Sequence, residues 1–296
     1  MTEAEHGSMR WLVVGAGGML GCRLRADLIA DGASVHGLDR AALDVTDARA
    51  VAEVVGDLHP DVVVNASAYT AVDAAETDEV TATAVNADGP ANLATACVAG
   101  RITLLHLSTD YVFAGDAGAP YDEDAPRDPV GAYGRSKAEG ERRVLAVMPH
   151  RAAVVRTAWL YGPFGSNFAT TMLRLERERD TVDVVTDQRG QPTSTAQVSA
   201  ALRRLAPLVA DGRAAGTFHA TCSGETTWFD FARSVFGLAG ADPGRVHPTD
   251  SASFVRPAPR PAYSVLGHRR WAEHGLPVPA PWQEALSEAF PSLSAP

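Results

Sequence analysis

The chain has only three cysteines among its 296 residues, Cys22, Cys97 and Cys222, and no Cys-x-x-Cys pair. An odd number of cysteines without paired spacing predicts neither a disulfide framework nor a zinc site. The nine histidines form no cluster with the spacing of metal ligands, so we predict no metal ion. Unpaired thiols are typical of a reducing compartment, and we therefore expect a cytoplasmic protein.

Basic charge and long apolar runs are also scarce. The net charge is -10 and the pI is about 5.3, which argues against nucleic acids and anionic membranes, because these partners need basic patches. No apolar run reaches the ~18 residues that can span a bilayer. Residues 1–9 lack the basic and apolar regions of a signal peptide. We therefore expect no nucleic-acid partner and no membrane partner.

Short apolar runs alternate with longer amphipathic stretches in the first half of the chain. Runs that are nearly all apolar indicate parallel strands buried on both faces. Their alternation with helices predicts an α/β fold, a doubly wound parallel sheet of the Rossmann type. The predicted strands are Trp11–Val14, Ser34–Leu38, Asp61–Val64, Ile102–Leu107 and Ala153–Arg156, and the predicted helices are Met19–Ala30, Thr46–Gly56 with Thr46 as its N-cap, Thr81–Ala99 and Tyr133–Val147.

The pattern changes after about residue 160, where Pro and Gly become frequent and the predicted strands become scattered. We predict a first domain over residues 1–160 and a smaller, interleaved C-terminal region over residues 161–296. Segments of the second region are expected to return to the first domain. The predicted elements here are the strand Val182–Val185 and the helices Asn167–Arg179, Thr195–Leu208, Thr226–Leu238 and Pro281–Ala289.

A glycine-rich segment, Gly15–Gly21, follows the first strand and begins the first helix. In this setting Gly15 permits a tight turn, Gly18 lets the backbone approach a pyrophosphate, and Gly21 allows the helix to pack closely on the strand. The helix N-terminus supplies free N–H groups and the positive end of its dipole. The segment therefore predicts that the first domain binds a dinucleotide.

Two charged residues at the end of the second strand favour different cofactors. Asp39 is placed to hold the 2′-hydroxyl of NAD, whereas Arg40 could bind the 2′-phosphate of NADP, so we expect NADPH or NADH. Asp44-Val45 lies where an adenine could be flanked. The small residues of Asn65–Thr70 follow the third strand and leave room for a ligand at the carboxyl end of the sheet.

Tyr133 and Lys137 are four residues apart on a predicted helix, so they share a face. An ammonium beside a phenol favours the phenolate and lowers the tyrosine pKa from its usual value of ~10. This helps general acid–base catalysis at neutral pH. Ser108-Thr109-Asp110 follows the fourth strand, where a hydroxyl can bind a substrate carbonyl, and position alone leaves Ser108 and Thr109 both open. The Gly-rich turn, this run and the Tyr-Lys pair together predict a hydride-transfer site.

The sequence resembles the extended short-chain dehydrogenase/reductase superfamily and, within it, the dTDP-4-dehydrorhamnose reductase family. The resemblance covers about residues 10–290. The superfamily resemblance rests on Asn65–Asp73, Ser108–Phe113 and Tyr133–Lys137. The narrower one rests on the segment that contains Trp159, on Asp187–Thr193 and on Arg260-Pro261.

The resemblance implies a role for each matching residue. Thr109, Tyr133 and Lys137 would form the catalytic triad. The residues that would line the dinucleotide are Gly15, Gly18, Met19, Leu20, Gly21, Asp39, Arg40, Asp44, Val45, Ala66, Ala68, Tyr69, Thr70, Tyr133 and Lys137. The residues that would contact a dTDP-4-keto-6-deoxy sugar substrate are Thr109, Asp110, Trp159, Asn167 and Arg260. Arg260 would bind the diphosphate of this substrate.

The activity implied is NAD(P)H-dependent reduction of the C4 keto group of dTDP-4-dehydro-L-rhamnose to give dTDP-L-rhamnose. Two alternatives stay open: a 4-ketoreductase that makes another deoxysugar for a natural product, and a non-catalytic NADP-binding regulatory subunit similar to the beta subunit of methionine adenosyltransferase. Some members of the family form a dimer bridged by magnesium through glutamates. The corresponding residue here is Arg23, which cannot ligate magnesium, so a monomer and a different homodimer are both open.

Overall fold

The computed structural model describes residues 9–294, so most of the segment that lacks signal-peptide features lies outside the described residues. Within that range the strands are β1 Arg10–Val14, β2 Ser34–Leu38, β3 Val62–Asn65, β4 Thr103–Thr109, β5 Ala152–Thr157, β6 Leu160–Tyr161, β7 Val182–Val185, β8 Arg189–Gly190, β9 Thr193–Ser194, β10 Gly216–His219, β11 Thr226–Thr227 and β12 Val246–Thr249. Six of them form one parallel sheet in the order β2-β1-β3-β4-β5-β10.

Helices cover both faces of this sheet. The helices are α1 Met19–Ala30, α2 Ala48–Leu58, α3 Val72–Ala75, α4 Glu79–Thr83, α5 Gly89–Gly100, α6 Ala132–Val147, α7 Phe168–Glu178, α8 Thr195–Ala210, α9 Trp228–Leu238, α10 Arg269–Glu273 and α11 Trp282–Leu293. One core joins the sheet to α1 and α8, and a second core joins it to α2, α5 and α6. The predicted α/β fold with a doubly wound parallel sheet is confirmed.

The alternation of side chains along β1 shows how the sequence builds these two layers. Trp11 and Val13 belong to the core on the α1 side, and Leu12 and Val14 belong to the core on the α2 side. Because successive side chains of a strand point to opposite faces, a run of apolar residues is required where both faces are covered. The chain order reverses at β1, so the crevice between β1 and β3 is the switch point where such sheets bind ligands.

Two predicted helices differ from the structure. The N-cap of α2 is Asp47 rather than Thr46, because the Asp47 carboxylate accepts hydrogen bonds from the N–H groups of Arg49 and Ala50, both at 3.0 Å. The single helix predicted over 81–99 is instead α4, a π-helical segment Ala84–Asp88 and α5. A π-bulge in a helix is frequent at functional sites, and this one carries a residue that supports the ligand crevice.

A smaller core lies beside the sheet and is built from α7, α9, α11, β7 and β12, with Phe231, Phe236 and Trp282 among its buried side chains. Two elements after residue 160, α8 and β10, belong to the main sheet and its helix layer instead. The division at residue 160 stays a prediction. Cys22, Cys97 and Cys222 are free thiols.

Among residues 9–294, no helix is both long and apolar enough to cross a membrane. The same range holds no group of three or more His, Cys, Asp or Glu side chains placed to bind a metal ion.

Candidate active site

Three cavities adjoin one another at the carboxyl ends of the central strands. The Gly-loop cavity, of about 340 Å³, is lined by the glycine-rich loop and by Asp39, Arg40, Asp44 and Val45. The central cavity, of about 560 Å³, holds Thr109, Asp110, Tyr133, Lys137 and Trp159. The outer cavity, of about 580 Å³, is lined by Tyr111, Phe168, Gln188, Trp228 and Arg260, among others.

Shared walls make these cavities one continuous route. The Gly-loop cavity and the central cavity are both lined by Gly17, Gly18, Ala66, Ser67 and Ala68. Tyr111 lines both the central and the outer cavity. An elongated ligand pair can therefore meet in the central cavity, with one ligand entering from each side.

The glycine-rich loop has no room for side chains at two of its predicted positions. Gly15 has φ +82°, and a Cβ there would lie 2.6 Å from the carbonyl carbon of Ala66. A Cβ on Gly21 would lie 2.2 Å from the carbonyl oxygen of Gly15. Gly18 is the N-cap of α1 and leaves the amide groups of its first turn at the cavity wall. This is the close backbone approach that a pyrophosphate needs.

Asp39 and Arg40, which favoured different cofactors in the sequence, have different environments in the structure. One carboxylate oxygen of Asp39 accepts hydrogen bonds from the N–H groups of Ala41 and Ala42, both at 3.0 Å, so it stabilises its own turn. The neighbouring Arg40 is exposed and lines the Gly-loop cavity. A guanidinium free to reach the cavity suits a phosphate, so the geometry favours the 2′-phosphate of NADP.

The loop after β3 is held by two buried asparagines. Asn65 accepts hydrogen bonds from the N–H and hydroxyl groups of Ser67, the latter at 2.6 Å. Asn86, in the π-helical segment, accepts from Tyr69 N and donates to Tyr69 O and to Ser136 Oγ. Sequence reasoning missed Asn86, because a π-helical turn carries no distinctive sequence signal.

Four of the predicted cofactor residues lie on that loop, and they have two different environments. Ala66, Ala68 and Thr70 line the cavities, as the prediction requires. The side chain of Tyr69 instead packs with Tyr133 against a small alanine cluster. A contact between the Tyr69 ring and the cofactor therefore stays a prediction.

Tyr133 and Lys137, the predicted catalytic pair, both lie on α6, but their electrostatics differ from the prediction. Burial, followed by the charge of Asp110, raises the pKa of Tyr133 to about 12, while a hydrogen bond with Thr109 opposes the shift. Burial lowers the pKa of Lys137 from 10.5 to about 8, and its ammonium donates to the carbonyl oxygen of Leu107 at 2.6 Å. The predicted lowering of the tyrosine pKa by lysine is therefore wrong: burial and the Asp110 charge raise this pKa, and the lysine ammonium is directed at Leu107 instead.

The structure separates the two hydroxyl candidates. Ser108 Oγ donates to the buried carboxylate of Glu141 at 2.6 Å. Thr109 Oγ1 contacts Tyr133 and donates to Asp110 Oδ1 at 3.0 Å. Burial raises the pKa of Asp110 to about 6. Thr109 is therefore the hydroxyl that shares the reacting region with Tyr133.

A buried ion pair lies beneath this hydroxyl run and was not predicted. Arg156 Nη2 donates to Glu141 Oε2 at 2.7 Å, and both side chains are almost fully buried. Although burial opposes it, Arg156 lowers the pKa of Glu141. Glu141 is four residues after Lys137 on α6, so the two residues lie on the same face of the helix. That spacing was the signal available in the sequence.

Trp159 lies at the wall between the central and outer cavities. Its backbone has φ +47°, a strained conformation for a large side chain that costs of order 1–3 kcal/mol and is frequent at functional sites. Its indole stacks on that of Trp228, with centroids 3.6 Å apart and planes 8° apart. Trp228 was not predicted as a site residue.

The other two predicted substrate contacts have different outcomes. Asn167 is the N-cap of α7: its Oδ1 accepts from Thr170 N at 3.1 Å and its Nδ2 donates to Gly162 O at 2.8 Å. Its polar atoms therefore cap the helix, and a contact between Asn167 and the substrate stays a prediction. Arg260 lines the outer cavity, where its guanidinium binds Asp73 at 2.9 Å.

A parallel sheet with a glycine-rich loop at its switch point, and with a Thr–Tyr–Lys group around the adjoining cavity, defines a nicotinamide-dependent reductase of the extended short-chain type. The chain belongs to the family described as the RmlD substrate binding domain, whose model matches residues 9–294. The predicted resemblance is confirmed.

Named relatives and a solved structure agree with this family. The chain is 52% identical over 285 residues to a Streptomyces griseus protein named dTDP-4-dehydrorhamnose reductase, with coverage of 96% of this chain and 94% of that protein. It is 50% identical over 291 residues, with coverage of 97% and 96%, to a Streptomyces antibioticus protein named probable dTDP-4,6-dihydroxy-2-methyloxan-3-one 4-ketoreductase. It is also similar to the Bacillus anthracis dTDP-4-dehydrorhamnose reductase solved in complex with NADP, with a TM-score of 0.91, 35% identity and coverage of 95% and 98%.

Proposed function

We propose that this protein reduces the C4 keto group of dTDP-4-dehydro-L-rhamnose with NADPH, giving dTDP-L-rhamnose. The observation that carries the proposal is the meeting of Thr109, Tyr133 and Lys137 in the central cavity. The Gly-loop cavity opens on one side of that group and the outer cavity on the other. A dinucleotide and a nucleotide-sugar each need one of these sides.

NADPH fits the first side. The closely packed Gly15 and Gly21 leave backbone, not side chains, at the cavity, and α1 directs its N-terminus there. Arg40 would hold the 2′-phosphate and Lys137 the nicotinamide ribose. When bound, the cofactor supplies the hydride that adds to the sugar C4.

Tyr133 is suited to donate the proton that the developing alkoxide needs. Its raised pKa keeps the phenol protonated at neutral pH, so the donor is ready before hydride transfer. An alkoxide is a stronger base than a phenolate, so the transfer is downhill even from a tyrosine with this pKa. Thr109 donates a hydrogen bond to the same oxygen as its charge grows.

The outer side of the site suits the nucleotide-sugar. Trp159 and Asp110 line the central cavity, where the sugar ring would lie. Arg260 lines the outer cavity and would bind the diphosphate, whose oxygens match its planar guanidinium. The dTDP group is far from the reacting carbon, so its binding mainly supplies positioning.

A second candidate is a 4-ketoreductase that makes another deoxysugar. It is favoured by one observation, the 50% identity to a relative whose name describes 4-ketoreduction of a different dTDP-linked compound. The two functions share the Thr–Tyr–Lys chemistry and differ in which sugar face meets the cofactor. The higher identity of the Streptomyces griseus relative, 52%, supports the rhamnose product first.

The test is turnover of dTDP-4-dehydro-L-rhamnose with NADPH and, separately, with NADH, followed by NMR of the sugar product. We expect oxidation of NADPH in preference to NADH, with dTDP-L-rhamnose as product. The C4 epimer as product would support the second candidate. Cofactor binding without turnover of any dTDP-4-keto sugar would contradict both and support a regulatory subunit.

We further propose that residues 1–160 hold the cofactor and the reacting groups, and that residues 161–296 are mostly a substrate-binding region, since they supply most of the outer cavity. We also propose a cytoplasmic location, because the three free thiols fit a reducing compartment.

A further inference from the structure

We infer that Trp228 is a positioning residue for the sugar site: its ring holds Trp159 in place at the wall between the central and outer cavities. The inference rests on the proposed function and extends it to a residue outside the catalytic group. Trp159 lines the central cavity and Trp228 lines the outer cavity. The stacked pair is therefore a shared wall, with one ring exposed to each side.

The stack is closer and more parallel than isolated aromatic rings prefer. Aromatic pairs favour offset or edge-to-face arrangements with centroids ~4.5–7 Å apart, because a full face-to-face sandwich opposes like quadrupoles. Here the centroids are 3.6 Å apart and the planes differ by only 8°. Surrounding contacts must therefore hold the two rings together.

Those contacts are present on both members of the pair. Trp228 Nε1 donates to Gln188 Oε1 at 3.1 Å, and its ring also packs on Phe168 and Phe231, with centroids 4.5 Å and 6.3 Å away. The Trp159 ring lies so close to Gly190 that a Cβ there would be 2.4 Å from Trp159 Cε2. Gly190 and Trp228 thus limit where the Trp159 indole can go.

The backbone of Trp159 makes this confinement necessary. Its φ of +47° is one that a bulky residue rarely adopts, and such a conformation persists only where its surroundings enforce it. The hydrogen bond from Thr193 N to Trp159 O, at 3.2 Å, fixes the peptide but not the ring. Trp228 supplies the contact that fixes the ring.

The consequence is a division of roles between the two tryptophans. Trp159 presents a fixed apolar surface to the sugar. Trp228 keeps that surface in a fixed position relative to Tyr133. Without Trp228, the Trp159 indole gains freedom, and the sugar-nucleotide must pay the entropy of ordering it on binding. The loss should therefore fall on KM for the sugar-nucleotide more than on kcat.

The experiment compares Trp228→Phe and Trp228→Ala with a matched control, Phe229→Leu. Phe229 lies on the same turn of α9 and is also half-buried, but its ring contacts Arg233 rather than Trp159. We expect KM for the sugar-nucleotide to rise about tenfold in Trp228→Ala and less in Trp228→Phe. NADPH affinity and the control should change little. Trp228→Ala should also lower the melting temperature, because it removes a packed ring, so Trp228→Phe, which keeps a ring beside Phe168, is the variant that separates the effect on KM from stability.

A spectroscopic readout separates this inference from the proposed function. Two indoles stacked this closely couple their electronic transitions, and with the transition dipoles rotated within the ring planes they give an exciton couplet in far-ultraviolet circular dichroism, which does not require turnover. We expect the couplet in the wild-type protein and in Phe229→Leu, and its loss in Trp228→Phe and in Trp159→Phe. Absent activity with a normal couplet pattern would count against the proposed function alone. A couplet that survives in Trp228→Phe, or a KM in Trp228→Ala equal to that of the control, would overturn the inference.

Discussion

The central and outer cavities are built from different kinds of structure. The reacting groups of the central cavity lie at the end of β4 and on the long helix α6, where Tyr133 and Lys137 are one turn apart. The outer cavity has a mixed wall: α7, β7 and α9 line one part of it, and loop residues, most of them between 254 and 260, line the rest. Regular elements therefore carry the proposed reacting groups, whereas loops contribute much of the proposed recognition, as in many folds.

This difference implies different responses to mutation. Changes around the central cavity should reduce kcat or the stability of the whole sheet, because its residues belong to the core. Changes around the outer cavity should mainly raise KM for the sugar-nucleotide. The predictions that follow test this division, beginning with the largest expected effect.

Arg156→Met should destabilise the protein most. The substitution leaves the buried Glu141 carboxylate with only the longer ion pair to the partly exposed Arg127, at 3.3 Å, and breaking a buried pair costs about 3–5 kcal/mol. Chemical denaturation measures the loss, and Arg49→Met, which removes an exposed pair with Glu53, is the control with an expected change below about 0.5 kcal/mol. Equal losses in the two variants would contradict the role of the buried pair.

The same pair gives a pH dependence. Since the pKa of Glu141 is lowered in the folded state, its stabilisation is present above the ordinary carboxylate pKa and is lost as pH falls through the folded value. In Arg156→Met the free energy of unfolding should therefore depend less on pH under acidic conditions than it does in the wild-type protein.

Tyr133→Phe should reduce kcat by ~10²-fold or more, because the alkoxide loses its proton donor. The ring remains, so its packing against the alanine cluster and the binding of NADPH should be preserved. Steady-state kinetics with a fluorescence titration of NADPH measures both quantities. Wild-type turnover in this variant would rule out Tyr133 as the donor.

Lys137 should make activity and stability respond to alkaline pH in opposite directions. Its folded pKa is lowered to about 8 from 10.5, so the unfolded chain binds more protons between those values and stability rises with pH there. Turnover needs the ammonium and should decline above pH ~8. Tyr133 titrates too high to explain that decline. Lys137→Arg should move this decline in turnover to higher pH. A decline at the same pH would exclude Lys137 as its source.

Arg260→Ala should have the smallest effect, a rise of about tenfold in KM for the dTDP-sugar with kcat nearly unchanged. Arg189→Ala is the matched control, because that exposed arginine pairs with Glu225 and does not line the outer cavity. A fall in kcat alone in Arg260→Ala would break the proposed division between the two cavities.

How much the sequence predicts also differs between these regions. The buried strands around the central cavity read as apolar runs, and the glycine-rich turn, the Ser-Thr-Asp run and the Tyr-Lys spacing each lie where they were predicted. Local periodicity and turn chemistry carry that information. The family resemblance added Thr109 over Ser108, which position alone left open.

The remaining features depend on contacts between distant parts of the chain. Trp228 meets Trp159, and Arg260 meets Asp73, only after folding. The pKa of Tyr133 was predicted in the wrong direction because burial cannot be read from a four-residue spacing. Asn167 was assigned to the substrate, but its amide caps α7. Such roles require the folded environment, which a local pattern does not describe.

The most direct test of the central claim follows the hydride itself. NADPH deuterated at the transferring position of the nicotinamide would be turned over with dTDP-4-dehydro-L-rhamnose, and the product examined by NMR. The account predicts one deuterium at C4 of dTDP-L-rhamnose, and ~10²-fold less of this product in a matched reaction of Tyr133→Phe run for the same time. Deuterium at another carbon, or product without deuterium, would contradict it.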